Sequence, residues 1–590
     1  MKASNFEKKP AINAKQFSCL AGWKDIAAQI ISSIGTQRPA VLAIECYAGL
    51  NDEEILKAIS TYLPEAKIYH TAGAMKTTPE IEAMVDPYVT DDPVFGYMSP
   101  LALLDFFDSA QLEQVKAEIK TQEEHLTIIF GTGASLFHDA PALLIYADMP
   151  RWEIQMRFRN QNAGNIGANN KNGDFAYQYK RAFFVDWRVL DRHKKAIKNT
   201  IDFWLDTTQP EAPKMINRDI MDQVMLSATQ QPFRVVPFFD PGPWGGQWLK
   251  EVMDLDRSEK NYAWGFDCVP EENSLLLQFE NAVFEIPAIN LVFNHPKQLL
   301  GEKVYEAFGD EFPIRFDFLD TMEGGNLSLQ VHPLREYISE HFGMSYTQDE
   351  SYYFMEAVDD AFVYLGLKEE ISADIMIAEL EEAQNGAVLF DADRYVEKWP
   401  IKKHDHVLIP SGTVHCSGAN SVVLEISATP YIFTFKLWDW GRMGLDGKPR
   451  PISIDHGKNV IQWDRTTNWT GTHLINKIET ISNGDGWIEE RTGLDETSFI
   501  ETRRHWFSKT VAHHTGGTVN ILNLIDGREA IVESPTGAFN PFVLHYAETF
   551  IVPAEVGDYT ITPYGESLGQ VCATIKAYVR LENLKSYRIN

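Results

Sequence analysis

The first 205 residues alternate between short apolar runs and polar segments of helical length. The apolar runs are AVLAIECY (40–47), LTIIFG (126–131) and ALLIYADMP (142–150), and the polar segments include DEEILKAIS (52–60) and LEQVKAEIKTQEEH (112–125). Such alternation predicts βα units around a mainly parallel sheet. The Thr- and Pro-rich stretch LDTTQPEAPK (205–214) predicts a linker after them.

After Phe233 the pattern changes to short strands in which apolar and polar residues alternate. One series is NLSLQVHP (326–333), SYYFMEAV (351–358), AFVYLGLK (361–368), HVLIPSG (406–412) and SVVLEISA (421–428). A second series is NILNLIDG (520–527), EAIVES (529–534), FVLHYAETFIVPA (542–554), DYTITPY (558–564) and TIKAYVR (574–580). Many short strands separated by turn residues predict β-sandwiches or barrels, and the two series could be divergent copies of one fold.

Composition and charge narrow the class of partner. The chain has 590 residues and a net charge of −30, so nucleic acid and anionic lipid are excluded as main partners because their phosphates would be repelled. No apolar run approaches the roughly 18 residues that span a bilayer, and the N-terminus lacks the apolar core of a secretory signal. Five scattered cysteines exclude a disulfide framework and predict a cytoplasmic protein.

Metal-binding residue types cluster in the first β-rich series. Gln330 and His332 lie two residues apart on a predicted strand and therefore point to the same face. Glu350 opens the next strand, and the turn Pro-Ser-Gly-Thr-Val-His ends in His415. A single His is more often a core residue than a ligand, but two imidazoles, a carboxylate and an amide oxygen together suit Zn²⁺ or a similar divalent ion.

These segments resemble the type I mannose-6-phosphate isomerases of the cupin superfamily. The resemblance runs from about Trp244 to the C-terminus and rests on GNLSLQVHP, DESYYFMEA, HVLIPSGTVHCSG, LEISA and KLWDWGR, in that order. It implies one Zn²⁺ per chain, bound by Gln330, His332, Glu350 and His415. It also implies interconversion of mannose 6-phosphate and fructose 6-phosphate through a cis-enediol(ate).

The resemblance also suggests catalytic residues, with two departures from the family. Glu425 occupies the family's acidic position near the metal and is the first candidate for acid/base work, with His404 as a weaker alternative. Lys436 stands where the family usually has an essential Arg, so either Lys436 acts as a point charge on the oxyanion or Arg442 takes that role. Gln348 replaces a Lys that the family commonly has two residues before the metal Glu. Lys448 and Arg450 are further candidates for the substrate phosphate.

The last 130 residues, 461–590, resemble a cupin that has lost its metal. The segment that corresponds to the His415 turn reads Val-Pro-Ala-Glu-Val-Gly-Asp, with Asp558 at the position of the His. His513 and His514 are adjacent on a predicted strand and therefore face opposite sides, so both cannot serve one metal site.

The N-terminal part resembles P-loop kinases of the uridine kinase sort. Its first strand is followed by the loop from Glu45 to Asn51 and then a helix. The phosphate-binding GxxxxGK[ST] is absent, and Asp52 and Glu53 fall where its Lys and Ser/Thr would stand. We therefore expect a degenerate kinase-like domain without catalysis, the alternative being a plain α/β scaffold.

The sequence thus predicts three domains. They are a P-loop kinase-like α/β domain at 1–215, a metal-binding catalytic cupin with helical insertions at 216–460, and a second cupin at 461–590. The predicted function is a zinc-dependent sugar-phosphate isomerase that acts on a small sugar phosphate. The alternatives are a sugar-phosphate sensor without turnover and a cupin oxygenase that uses iron.

Overall fold

The computed structural model describes residues 4–35, 39–122, 126–358, 360–386, 388–444, 447 and 450–584. Its strands up to residue 300 are β1 Ala11–Asn13, β2 Leu20–Ala21, β3 Ala40–Cys46, β4 Lys67–His70, β5 Leu126–Gly131, β6 Leu143–Asp148, β7 Phe203–Asp206, β8 Lys214–Asn217, β9 Phe238–Asp240, β10 Trp264–Cys268, β11 Ser274–Gln278 and β12 Val283–Pro287. Those from 301 to 450 are β13 Ile314–Asp320, β14 Leu329–Val331, β15 Glu350–Ala357, β16 Phe362–Leu367, β17 Val396–Pro400, β18 His406–Ile409, β19 His415–Ser417, β20 Ser421–Ala428 and β21 Phe435–Trp438. The remaining strands are β22 Glu479–Gly484, β23 Trp487–Leu494, β24 Ile500–Phe507, β25 Val511–His514, β26 Asn520–Asp526, β27 Glu529–Glu533, β28 Phe542–His545, β29 Thr549–Val552, β30 Asp558–Pro563 and β31 Cys572–Val579.

The α-helices concentrate in the first 310 residues. They are α1 Trp23–Ile34, α2 Asp52–Tyr62, α3 Thr78–Val89, α4 Ser109–Lys120, α5 Arg151–Arg159, α6 Phe175–Arg181, α7 Trp187–Ile197, α8 Arg218–Ala228, α9 Trp248–Val252, α10 Ile289–Asn294, α11 Pro296–Leu300 and α12 Glu302–Phe308. Later helices are α13 Arg335–Phe342, α14 Ala373–Gln384, α15 Ala392–Tyr395, α16 Ile454–Gly457 and α17 Thr467–His473. None of the described helices is long and apolar enough to cross a membrane. All five cysteines are buried free thiols.

The chain forms two compact units. The N-terminal unit comprises Ala11–Leu226 and Ser274–Asn294, and the barrel unit comprises the residues up to Pro10, Ser227–Asn273 and the chain from His295 onward. The sequence placed 274–294 in the middle domain, whereas in the structure β11 pairs with β1 inside the N-terminal unit. The limits 1–215, 216–460 and 461–590 remain predictions.

The N-terminal unit contains the parallel sheet that the βα alternation predicts. Its seven strands run in the order β2-β8-β7-β6-β3-β5-β4, and β3 to β7 are parallel. Aliphatic side chains of β3, β5 and β6 pack against α1 and α2 in a continuous core. The predicted linker at 205–214 is wrong, because β7 and β8 pair antiparallel across this stretch and keep it inside the sheet.

The loop between β3 and α2 is held by a guanidinium. Arg157 donates from Nη1 to the Gly49 carbonyl at 2.8 Å and from Nη2 to the Thr208 carbonyl at 3.2 Å. Asn51 caps α2, and its side chain accepts a hydrogen bond from the Glu54 amide. The loop therefore presents a carbonyl to a cation, which is the opposite of the polarity that a triphosphate requires.

The barrel unit contains two β-barrels with the same strand pairing. In the first, β13-β20-β15-β18 form part of one sheet and β14-β19-β16-β17 part of the other. In the second, β24-β31-β26-β29 and β25-β30-β27-β28 repeat this order strand for strand. The pairing supports the expectation that the two β-rich series are copies of one fold.

Polar groups join the two barrels. Arg504 of the second barrel donates to the Tyr353 hydroxyl at 3.2 Å and to the His404 carbonyl at 2.9 Å. His404 bridges Tyr353 and Asp526, with its two ring nitrogens at 3.0 and 3.2 Å from their oxygens. His406 is fully buried beside Tyr353, and burial lowers its pKa to about 3.

We predict that His406 makes the barrel unit sensitive to acid. Its folded pKa lies below the unfolded value of about 6.5, so its stability contribution is complete above pH 6.5 and is lost as the pH falls towards 3. At pH 5 the loss is roughly 2 kcal/mol. Urea unfolding at pH 7 and pH 5 should show a smaller pH effect in His406→Leu, and an equal effect in both proteins would contradict the prediction.

We predict that the full chain does not hydrolyse ATP or GTP in the presence of Mg²⁺. Phosphoryl transfer depends on cations placed around the γ-phosphate, and the loop after β3 offers the Gly49 carbonyl and the exposed Asp52 and Glu53 instead. Phosphate release should stay at background, also in Arg157→Ala, where the carbonyl is freed. Hydrolysis that stops when Mg²⁺ is chelated would show that this loop is misinterpreted.

Candidate metal centre

Three side chains converge inside the first barrel. Glu350 lies between the two imidazoles, with its oxygens 3.0 Å from His332 Nε2 and 2.9 Å from His415 Nε2. The three ligand atoms lie within 4.8 Å of one another, and no other described group of three His, Cys, Asp or Glu meets this criterion. The sequence predicted all three residues as ligands, and the structure brings them together.

Gln330 is the fourth predicted ligand and lies beside this group. It pairs with His415 across β14 and β19, and its side-chain nitrogen lies 3.3 Å from His415 Nε2. Amide oxygen and nitrogen are assigned from their surroundings. A half-turn of the amide would direct the Gln330 oxygen to the point that the imidazoles face.

The outer nitrogens of both imidazoles are fixed by backbone carbonyls. His332 Nδ1 lies 3.0 Å from the Phe433 carbonyl, and His415 Nδ1 lies 2.9 Å from that of Thr413. A ring nitrogen that donates to a carbonyl leaves Nε2 as the lone-pair atom, which is the arrangement typical of metal-ligating His. Both side chains are completely buried, and this donor set fits a divalent ion.

The charge around the ligands also favours a cation. The buried carboxylates Asp317, Glu350 and Glu425 surround one described guanidinium, that of Arg315, which forms ion pairs with Asp317 and Glu425. Three carboxylates against one guanidinium leave two negative charges, the amount that a divalent cation neutralises. Burying unbalanced charge is costly.

Two of these groups come from one edge-to-edge row of strands. Asp317, Glu425 and Tyr352 are neighbours across β13, β20 and β15, so they share the inner face of the barrel. The sequence analysis missed Arg315 and Asp317. Their signal was the i, i+2 spacing in IRFDFLD, on a strand whose other positions are apolar.

Glu425 lies next to the metal ligands, as predicted. The Gln348 amide reaches both carboxylates, at 3.1 Å from Glu350 and 3.4 Å from Glu425. Burial raises the pKa of Glu425, as do the charges of Asp317 and Glu350, while Arg315 opposes the rise. For Glu350, burial also raises the pKa, but His332 and His415 outweigh it and bring the value well below normal.

Lys436 lies on the same face as the ligands. Gln330 pairs with both His415 and Lys436, which places the three residues in one row across β19, β14 and β21. Burial lowers the pKa of Lys436 to about 8, with Arg450 and Arg442 adding to the effect and Asp439 opposing it. No described residue forms an ion pair with its ammonium group within 4.0 Å.

Arg442 and Arg450 share one carboxylate. Each donates to a different oxygen of Asp439 at 2.6 Å, and Arg442 also donates to the Asn326 carbonyl at 2.6 Å. Both side chains keep some exposure, so a cationic patch of Lys436, Arg442 and Arg450 lies at the edge of the site. Lys448 lies outside the described residues.

Other sequence candidates lie elsewhere. His404 is held between Tyr353 and Asp526 at the contact with the second barrel, so its proposed part in proton transfer is wrong. In the second barrel His513 is buried and His514 is exposed, as the strand alternation predicted. Asp558 pairs with His514 across β25 and β30, and its side chain is 75% exposed.

Comparison with known proteins relates the two parts of the chain differently. Residues 22–230 match a family model described as a domain of unknown function, DUF8485. Mannose-6-phosphate isomerase ManA of Bacillus subtilis is 22% identical over 342 residues, which cover 57% of this chain and 94% of that protein. Mannose-6-phosphate isomerase of Streptococcus mutans is 25% identical over 240 residues, or 40% of this chain and 70% of that protein.

Solved structures of similar proteins carry related names. The crystal structure of mannose 6-phosphate isomerase from Bacillus subtilis aligns with a TM-score of 0.48 and 18% identity, covering 59% of this chain and all of that one. A mannose 6-phosphate isomerase solved with zinc and yttrium aligns with a TM-score of 0.45 and 12% identity, covering 60% of this chain and 100% of that one.

We predict that the purified chain retains about one divalent ion and that His332→Ala and His415→Ala release it. Each substitution removes a ligand and leaves the carboxylates unbalanced. Elemental analysis after exhaustive dialysis measures the ion. The matched control is His341→Ala, which removes an exposed imidazole from α13 and should keep the metal. Full retention in both ligand variants would refute the site.

Proposed function

We propose that this chain is a zinc-dependent aldose–ketose isomerase that interconverts mannose 6-phosphate and fructose 6-phosphate. The proposal is carried by the convergence of His332, Glu350 and His415 in a buried site that also contains Glu425. The curated relatives named mannose-6-phosphate isomerase supply the substrate.

In this proposal the ion is held by Gln330, His332, Glu350 and His415. When bound, Zn²⁺ supplies a Lewis acid that orients and polarises the sugar oxygens at C1 and C2. The carbonyls of Phe433 and Thr413 keep both imidazoles in the tautomer that this requires.

Glu425 moves the proton between C2 and C1. A base must be ionised before it accepts a proton, and the Arg315 guanidinium favours the charged form of Glu425 against the cost of burial. The Gln348 amide donates to the same carboxylate and keeps it beside Glu350. Burial excludes water, which would otherwise exchange with the transferred proton.

Lys436 and the two arginines bind the anionic parts of the sugar phosphate. The Lys436 ammonium stabilises the oxyanion of the enediolate as a point charge, from its place beside Gln330. Arg442 and Arg450 offer fork-shaped donors to the phosphate, and Asp439 holds both guanidinium groups in position.

A sensor that binds sugar phosphate without turnover is the second candidate. Two observations favour it: Gln348 bridges two carboxylates where the family has a Lys, and Lys436 replaces an Arg. A coupled assay with mannose 6-phosphate on the zinc-loaded chain distinguishes the two. Turnover that is lost on chelation and restored by Zn²⁺ supports the isomerase, whereas saturable binding without turnover supports the sensor.

We predict different kinetic effects for the two cations. Lys436→Ala should lower kcat and kcat/KM together, by about 100-fold, because the interaction exists only with the developing oxyanion. Arg442→Ala should chiefly raise KM, because the phosphate is bound equally in substrate and transition state.

The control for both variants is Lys458→Ala, which removes an exposed cation of the same barrel that pairs with Asp455 at 2.7 Å. Its kinetics should match those of the unsubstituted chain. Unchanged kcat in Lys436→Ala would assign the oxyanion to another group.

A further inference from the structure

The shared strand pairing lets the interiors of the two barrels be compared residue by residue. Ile314 begins β13 and pairs with Ala428 at the end of β20, and Ile500 begins β24 and pairs with Val579 at the end of β31. Glu350 and Asn520 begin the next strands of the two barrels, β15 and β26. The rows of the two barrels therefore correspond without a shift.

At corresponding positions the charges are inverted. Asp317 and Glu425 pair in the first barrel, and Arg503 and Lys576 pair in the second. The residues in the adjoining row follow the same rule, since Arg315 corresponds to Glu501 and the ligand Glu350 to the neutral Asn520. The positions that give the first barrel two negative charges hold a net positive charge in the second.

The carboxylates of the second barrel are already engaged. Arg503 forms ion pairs with Glu489 at 3.0 Å and with Glu501 at 2.5 Å. Lys576 is 8% exposed and points to the same side as Leu522, a member of the barrel core. No described residue lies within 4.0 Å of its ammonium group as an ion-pair partner, so its charge is uncompensated at contact distance.

Further hydrogen-bonding groups face the same interior without partners. The rings of His505 and His513 lie 4.4 Å apart, and His513 pairs across the sheet with the core residue Tyr559. Both ring nitrogens of His513, Nδ1 of His505 and the hydroxyl of Thr574 are buried and make no hydrogen bond to a described residue. Buried polar groups of native proteins are normally satisfied, by water or a ligand where the chain supplies nothing.

We propose that the interior of the second barrel binds a small oxyanion, such as a phosphate group, through Lys576, His505 and His513. An oxyanion offers acceptor oxygens to all three side chains and neutralises the ammonium group. Burial lowers the pKa of both imidazoles and brings that of Lys576 to about 8, so at neutral pH the rings donate as neutral N–H groups and the lysine supplies the charge. A metal cation is disfavoured here by Lys576 and Arg503.

Calorimetric titration of the full, metal-loaded chain with inorganic phosphate tests the proposal. Lys576→Met should lose one phosphate site relative to the unsubstituted chain, or weaken it roughly tenfold or more. The matched control is Lys509→Met, which removes an exposed lysine of the same barrel paired with Asp485 at 2.6 Å. Because the first barrel is the same in all three proteins, the difference isolates the second. Equal stoichiometry and affinity in all three would overturn the proposal.

A second measurement needs no substitution and separates the sources of the anion. In the chain labelled with ¹³C-histidine, the ring signals of His505 and His513 should shift on titration with inorganic phosphate. Parallel titrations with acetate and with mannose 6-phosphate tell a free phosphate from a carboxylate or a sugar-borne phosphate. Ring signals that move with none of these anions would show that the two imidazoles have no anion-binding role.

Discussion

Unbalanced negative charge inside the first barrel is the constraint on which the rest of its interior depends. Asp317, Glu350 and Glu425 are buried around the single described guanidinium of Arg315. Each carboxylate left without compensation would cost several kcal/mol. The imidazoles, the Gln348 amide and the carbonyls behind them are arranged so that a bound cation removes this cost, and folding and metal binding are therefore coupled.

The second barrel solves the same problem without a cation. The same strand order and the same rows carry Glu501, Arg503 and Lys576 where the first barrel carries Arg315, Asp317 and Glu425. A backbone of this kind accepts either sign of charge, provided that the sum inside is small or a ligand completes it. Function therefore follows the side chains that line each barrel and not the fold that both barrels share.

The sequence was sufficient to predict most strands and all four candidate metal ligands. β5 and β20 match the predicted segments residue for residue, because their apolar runs end at turn residues. Arg315 and Asp317 could not be found in the same way. Their importance arises from pairing with β20, more than 100 residues away, and pairing across the barrel is not encoded in local spacing. His404 failed for the same reason, since its neighbour Asp526 belongs to the other barrel.

The path of the chain between the two units bears on how the protein is made. Residues 11–13 form their strand ladder with Leu276–Gln278, so the edge of the N-terminal unit is completed by a segment that follows it by more than 260 residues. During synthesis the ribosome must release the chain beyond residue 294 before this unit holds all of its parts. Vectorial folding from the N-terminus would therefore pause with an open sheet edge, which a chaperone could protect.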